Sequence, residues 1–249
     1  MAYSRIEKEK ILEKLKEDKH YYGEFGQKFL SNSNISTLLK DPLSLRQPIE
    51  KTTPMLLGGY FHHLVLEPEK AALYNIIDAN TRSTKLYKEQ SQGELLLLKK
   101  EAELVQELSQ VLLSNDSLYD LIYCEDVEHE VPNICDIDGV TWKCKADILN
   151  HSEKLIIDLK TTNDISSFEY SCRKYNYDSQ AFIYEQQFPN YNFIFIVIDK
   201  NTKRLGIFDC STEFLNAGKN KVTKANEAYK LFYETENFNK EQYLLTKTL

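Results

Sequence analysis

Apolar and polar positions change their period along this chain. In residues 6–15, Ile6, Ile11, Leu12 and Leu15 recur at helical spacing among many charges, which predicts a surface helix. Ser33 or Asn34 can cap a short helix that runs to Leu39 and Lys40, where Asp41-Pro42 stops it. Residues 54–67 are apolar enough for a buried helix and end at Glu67-Pro68. Residues 69–92 show no clear period. In residues 94–113, Leu97, Leu104, Leu108 and Leu112 fall at near-helical intervals and predict an amphipathic helix.

From residue 127 the texture is that of strands. Residues 127–135 and 140–149 read as a hairpin around Asp138-Gly139, a pair suited to a tight turn. A third strand covers 154–160, a helix 166–187, and the run NFIFIVID at 192–199 is a strongly apolar strand. Asn201-Thr202 makes a turn before a strand at 204–210, and residues 213–234 form a closing helix. Antiparallel strands followed by a helical crossover imply an α/β fold with a mixed central β-sheet flanked by helices. The expectation is one domain over 1–249, mainly helical through 115, with the sheet and its helices in 125–234.

Composition narrows the classes. Residues 1–19 are charged and lack the apolar core of a signal peptide, and no apolar run approaches the roughly 20 residues of a membrane helix. A cytoplasmic protein without membrane contact is therefore expected. The five cysteines include no CxxC pair, which argues against a disulfide framework or a structural zinc site. The net charge of −7 excludes a uniformly basic surface, so any phosphate-binding surface must be local.

The candidate chemistry lies on two adjacent strands. One carries Lys143, Lys145 and Asp147; the next reads Leu155-Ile156-Ile157-Asp158-Leu159-Lys160. Residues two apart on a strand share a face, so Asp158 and Lys160 point the same way while Leu159 turns to the core. Asp147, across a short turn, can reach the same spot. Two clustered carboxylates repel unless a cation joins them, and oxygen ligands of this kind suit Mg²⁺ or Mn²⁺. A lysine beside such an ion can orient a water and stabilise charge growing on a phosphate.

These residues also carry a resemblance. CKADIL, IIDLKTT and YNYDSQAFIY, within residues 143–184, resemble the core of PD-(D/E)xK nucleases, and most closely the RecE-type phage exonucleases. The resemblance implies a restriction-endonuclease-like core in which Asp147, Asp158 and the main-chain carbonyl of Leu159 hold the metal and Lys160 serves catalysis. Gln180 and Tyr184 match the family's Q-x-x-x-Y helix, whose implied role is to contact DNA or support the catalytic lysine. SNSNISTLLKDP and LGGYFHHLVLEPE resemble the family's N-terminal segments, the second placing His62 near the metal, with Glu67 as a second group or a simple helix end. A further carboxylate is expected upstream, with Glu130 in VEHEVPN the first candidate and Glu128 the second. TRSTKLYKE resembles a phosphate-contacting stretch, which adds Arg82 and Lys85 to a DNA-binding set of Lys145, Arg173 and Lys174. Tyr170, Tyr175 and Tyr177 lie among these cations, where bases or sugars can stack.

The resemblance implies an Mg²⁺- or Mn²⁺-dependent deoxyribonuclease acting on the ends of linear double-stranded DNA, 5′ to 3′, in phage-type recombination. Its implied partners are a single-strand annealing protein and further copies of the chain in a ring. The same core also serves site-specific endonucleases, and a non-catalytic DNA- or protein-binding module on this fold is the reading from another class. An iron–sulfur nuclease would need clustered C-terminal cysteines, whereas Cys210 stands alone.

Overall fold

The run NFIFIVID explains why the sheet is covered on both sides. In the computed structural model, which describes residues 3–240 and residue 244, its phenylalanines and Val197 enter one apolar core while Ile194, Ile196 and Ile198 enter another. A strand apolar at every position must be buried on both faces.

Helices α1 (Arg5–Leu15), α2 (Asp18–Tyr21), α3 (Asn32–Lys40), α4 (Thr53–Leu66) and α5 (Pro68–Ala71) open the chain. A short parallel pair, β1 (Ile76–Ile77) and β2 (Leu97–Leu98), brackets α6 (Lys85–Ser91). Helices α7 (Lys99–Leu113) and α8 (Asp116–Tyr123) follow. The main sheet is β3 (Val127–Ile137), β4 (Val140–Asn150), β5 (Leu155–Thr162), β6 (Asn192–Asp199) and β7 (Leu205–Asp209), in that order. Within this main sheet only β5 and β6 pair in parallel, so the chain between them must cross over, and it does so through α9 (Phe168–Lys174) and α10 (Tyr177–Gln187). Helix α11 (Thr212–Tyr229) packs on α10, and Gly218 lets them approach so closely that a Cβ there would lie 2.0 Å from the Asp178 carbonyl oxygen. Among the described residues, no helix is long and apolar enough to cross a membrane.

Several predicted elements shift. The amphipathic helix begins at Lys99 instead of 94, because Leu97 and Leu98 pair with Ile76 and Ile77 first. The short N-terminal helix is capped from Ser31, whose main-chain N–H donates to Asn34 Oδ1 at 2.8 Å. The single helix expected over 166–187 breaks in two at Asn176, which sits in the left-handed region at φ 58°. Asparagine tolerates that region better than most residues. Asp138 and Gly139 both have positive φ, as the predicted tight hairpin turn requires.

One irregularity shapes everything that follows. Trp142, Cys144 and Ala146 of β4 lie in the core under α10 and α11, whereas Ile148 lies in the core under α4 and α7. Regular alternation would keep positions 142, 144, 146 and 148 on one face. The neighbouring strand changes sides as well, between Val127 and Val131. The break falls at Glu130, whose φ of 53° is rare for a non-glycine residue, and at the facing Asp147. Such a conformation costs on the order of 1 kcal/mol or more and collects at functional sites.

Candidate active site

Strands β4 and β5 pair over only three positions, Asn150 with Leu155, Leu149 with Ile156 and Ile148 with Ile157, and then part. Asp147 and Asp158 are the next residues on the two arms of this fork. Parting leaves the main chain of β5 without its ladder partners, and side chains take their place. The Leu159 N–H donates to Asp147 Oδ2 at 2.9 Å, and His62 Nε2 from α4 lies 2.7 Å from the Leu159 carbonyl oxygen. Farther out, the free edge of β4 is taken by Leu30, which bonds with Thr141 and Lys143. The space between is a cleft of about 820 Å³ lined by His62, Glu130, Asp147, Asp158 and Lys160.

A carbonyl oxygen can only accept, so His62 carries its proton on Nε2. Its bare Nδ1 then faces Asp147 Oδ2 at 3.3 Å. Ligand atoms of His62, Glu130 and Asp147 all lie within 4.8 Å of one another. These are lone pairs that a proton or a cation must join. Burial, and then the charge of Asp158, push the Asp147 carboxyl well above its ordinary value. Burial, and then Asp147, push Glu130 up to about 7. Burial, and then the Lys160 ammonium, hold His62 below its ordinary value and keep the imidazole neutral. Two or three carboxylate oxygens, a neutral imidazole and a main-chain carbonyl make a donor set that fits Mg²⁺ or Mn²⁺.

Asp158 is turned to the other side of the same spot. Gln180 Nε2 of α10 donates to its Oδ1 at 2.5 Å, and Lys160 pairs with its Oδ2. Asp158 is 2% exposed. Burial opposes the Lys160 ammonium, yet the carboxylates of Asp158 and Asp147 hold its pKa above the usual lysine value. The Lys160 Nζ also sits 4.9 Å from the centre of the Tyr177 ring. Gln180 thus bears on the aspartate, while Tyr184 reaches neither that aspartate nor Lys160: its hydroxyl donates to the Lys145 carbonyl at 3.1 Å and ties β4 to α10 two residues before Asp147. Removing the Asp158 tether by Gln180→Ala is expected to weaken Mn²⁺ binding about 10–100-fold in a calorimetric titration. Unchanged affinity would leave Gln180 a packing residue.

Other expected residues divide clearly. Lys145 lines the cleft, 7% exposed, 2.6 Å from Asp18 Oδ1 and 3.5 Å from Glu130 Oε2. Glu67 is drawn outward, to Lys70 at 2.7 Å and His63 at 3.7 Å. Arg82 lies away from the cleft: Glu101 grips its two terminal nitrogens at 2.6 and 2.7 Å and the Leu96 carbonyl accepts from one of them at 3.2 Å, which ties the guanidinium to the protein. Lys85 is an exposed residue of α6 beside Glu89. Arg173 and Lys174 end α9 and do not line the fork cleft. Glu128, the second candidate carboxylate, pairs with His151 at 2.7 Å.

The sequence reading missed the segment around α2. Asp18 bridges Lys145 and Lys70, at 2.6 and 2.5 Å. The Tyr21 ring lies under Lys143, 4.1 Å from Nζ to centre, and Tyr22 stands 68% exposed at the rim. Gly26 permits this fold-back, since a Cβ there would meet the Tyr21 carbonyl oxygen at 1.9 Å. Only the glycines and the paired tyrosines in HYYGEFG hinted at it. Arg46, at φ 69°, also lines the cleft unforeseen.

The family described as "PDDEXK-like domain of unknown function (DUF3799)" matches residues 29–241. The crystal structure of a protein from Eubacterium rectale, named there a "Putative exonuclease", superposes with a TM-score of 0.61 at 16% identity, over 94% of this chain and 95% of that one. A "phage related exonuclease" from Haemophilus somnus 129PT aligns over 83% of this chain and 95% of its own, at 16% identity and a TM-score of 0.36. No curated protein matches the sequence.

Proposed function

The chain belongs to the PDDEXK-like family, within the PD-(D/E)xK nuclease superfamily, and on that premise we propose that it is an Mg²⁺- or Mn²⁺-dependent exodeoxyribonuclease that degrades linear double-stranded DNA from its ends, 5′ to 3′. The observation that carries this reading is the meeting of Asp147, Asp158, Lys160, Glu130 and His62 at the fork between β4 and β5. The name of the Eubacterium rectale structure and the resemblance of CKADIL and IIDLKTT favour an exonuclease. A role in phage-type recombination, beside a single-strand annealing protein, belongs to the same reading.

The acidic chain accommodates DNA because charge is distributed unevenly. Arg46, Lys143, Lys145 and Lys160 line the cleft against Glu130, Asp147 and Asp158, so cations outnumber carboxylates there before any metal is counted. The residues that would hold the cation are Asp147, Asp158, Glu130, His62 through Nδ1 and the Leu159 carbonyl. Bound there, a divalent cation polarises a phosphoryl oxygen and makes water more acidic. Asp147 is oriented by the Leu159 N–H, and Asp158 by Gln180. Lys160 stays charged and donates hydrogen bonds to the oxygens on which negative charge grows during hydrolysis. Tyr184 holds the β4 arm through the Lys145 carbonyl, so the carboxylates keep their spacing.

Cation binding should depend on pH in one direction. Glu130, with its pKa near 7, must lose a proton before it can act as a ligand. Below that pH the proton competes with the metal; above it the competition fades. The rise in melting temperature caused by a fixed Mn²⁺ concentration is expected to grow as pH climbs through 7, and Glu130→Gln to flatten that dependence. A shift of equal size on both sides of 7 would remove Glu130 from the ligand set.

Digestion of linear duplex labelled at the 5′ or the 3′ end, beside covalently closed circles, tests the activity. Mononucleotides released from the 5′-labelled ends, with circles untouched, are expected. Cutting of circles would replace the exonuclease by an endonuclease, and early release of 3′ label would reverse the polarity.

A further inference from the structure

A second groove, of about 750 Å³, runs from the other side of the fork. It meets the first at Gly58, His62 and Lys160, which line both. Gly58 is not needed for packing, because a Cβ there would find nothing within 4 Å.

The wall of this groove is aromatic where a protein surface has no structural need for rings. Tyr170 is 69% exposed and Tyr175 is 54% exposed. Tyr177 is wedged against Phe168 and Phe195, with ring centres 6.0 and 5.5 Å away, and so is fixed. From Lys160 the contacts form a ladder outward. The Lys160 Nζ lies 4.9 Å from the Tyr177 ring, Tyr177 lies 6.0 Å from Tyr175 at 37°, and the Lys174 Nζ lies 5.2 Å from the Tyr175 ring. The left-handed turn at Asn176 sets the two rings side by side where a continuous helix would point them apart. Met55 and Lys200 also line it, as do Thr161, Thr162 and one carboxylate, Asp164.

We propose that this groove stacks the unpaired nucleobases of a single-stranded end of the substrate beside the phosphate that Lys160 addresses. The inference rests on the nuclease reading. Aromatic faces interleaved with cations suit single-stranded DNA, whose bases stack while its phosphates pair with charge. An apolar helix of a protein partner would leave Lys160 and Lys200 facing carbon. Paired bases offer no free face, so the groove discriminates for frayed or single-stranded ends.

The test uses the full chain with a hairpin duplex bearing a short single-stranded tail that contains 2-aminopurine, and the same hairpin blunt, in Ca²⁺ to suppress hydrolysis. Wild-type protein is expected to quench 2-aminopurine in the tail. Tyr170→Ala combined with Tyr175→Ala should abolish that quenching and weaken binding of the tailed hairpin at least about 10-fold, with little change for the blunt one. The corresponding double Phe variant should retain both properties. Both rings are exposed, so thermal melting should be unchanged in either variant. Quenching and affinity of the Ala variant equal to wild type would overturn the stacking groove, as would loss of both in the Phe variant. Wild-type binding without quenching would overturn it while leaving the nuclease reading intact. No binding of either hairpin by the wild-type protein would overturn both.

Discussion

Asp158→Asn is expected to lower metal-dependent cleavage about 10³-fold or more while the protein remains folded. The substitution keeps size and shape, so Gln180 and the β5 main chain stay in place. What it removes is one of the carboxylate charges that meet at the fork. Losing several kcal/mol of transition-state stabilisation is equivalent to about 10²- to 10⁴-fold in rate. It also strips Lys160 of the partner that neutralises it, in a place where an unpaired charge is costly. A control melt separates the two effects. If the folded variant cleaves at a tenth of the wild-type rate or better, Asp158 is not at the reacting centre.

Lys160→Met is expected to separate catalysis from cation binding. Methionine fills the lysine stem and can rest on the Tyr177 ring, but it donates nothing to a phosphate. Loss of a donor aimed at developing charge costs about 10²- to 10³-fold in kcat. Mn²⁺ affinity should hold or rise, because the ammonium competes with the metal for Asp158. An unchanged kcat, or a loss of Mn²⁺ binding with no other defect, would assign Lys160 to structure.

The parts legible in the sequence are those that local pattern dictates. NFIFIVID reads as a strongly apolar strand, and Asp138-Gly139 as a tight turn. Asp158 and Lys160 share a face because strand geometry leaves no choice. The fold class, a mixed sheet between helices, follows from the order of those elements. What stayed hidden depends on distant partners. Glu130 turns left-handed without being glycine, and the kink it makes opens the fork; nothing in VEHEVPN announces this. Asn176 breaks a helix that its neighbours favour. Asp18 is one charge among many in residues 1–19, yet it bridges two lysines at the cleft. Arg82, a basic residue in a motif-like stretch, pairs with Glu101 away from the cleft, which its local sequence does not announce.

The same features would let a chain that is acidic overall accept a polyanion. The carboxylates at the fork are too close to be stable without a proton or a cation between them. Their crowding is sustained by the fork, by the strained Glu130 and by the ties from Leu159, Gln180 and Tyr184. Such strain, without evident benefit to packing, is where chemistry is to be sought.

The central claim, that hydrolysis is carried out by a cation held at this fork, is tested most directly by metal removal and return. Purified protein is stripped with EDTA, mixed with linear duplex DNA, and then given Mg²⁺ or Mn²⁺ in excess, beside the Asp147→Asn variant. The account predicts no degradation in EDTA, full return with either ion, and none in the variant. Degradation that survives EDTA or Asp147→Asn would contradict it, as would well-folded, metal-loaded wild-type protein that cleaves no DNA.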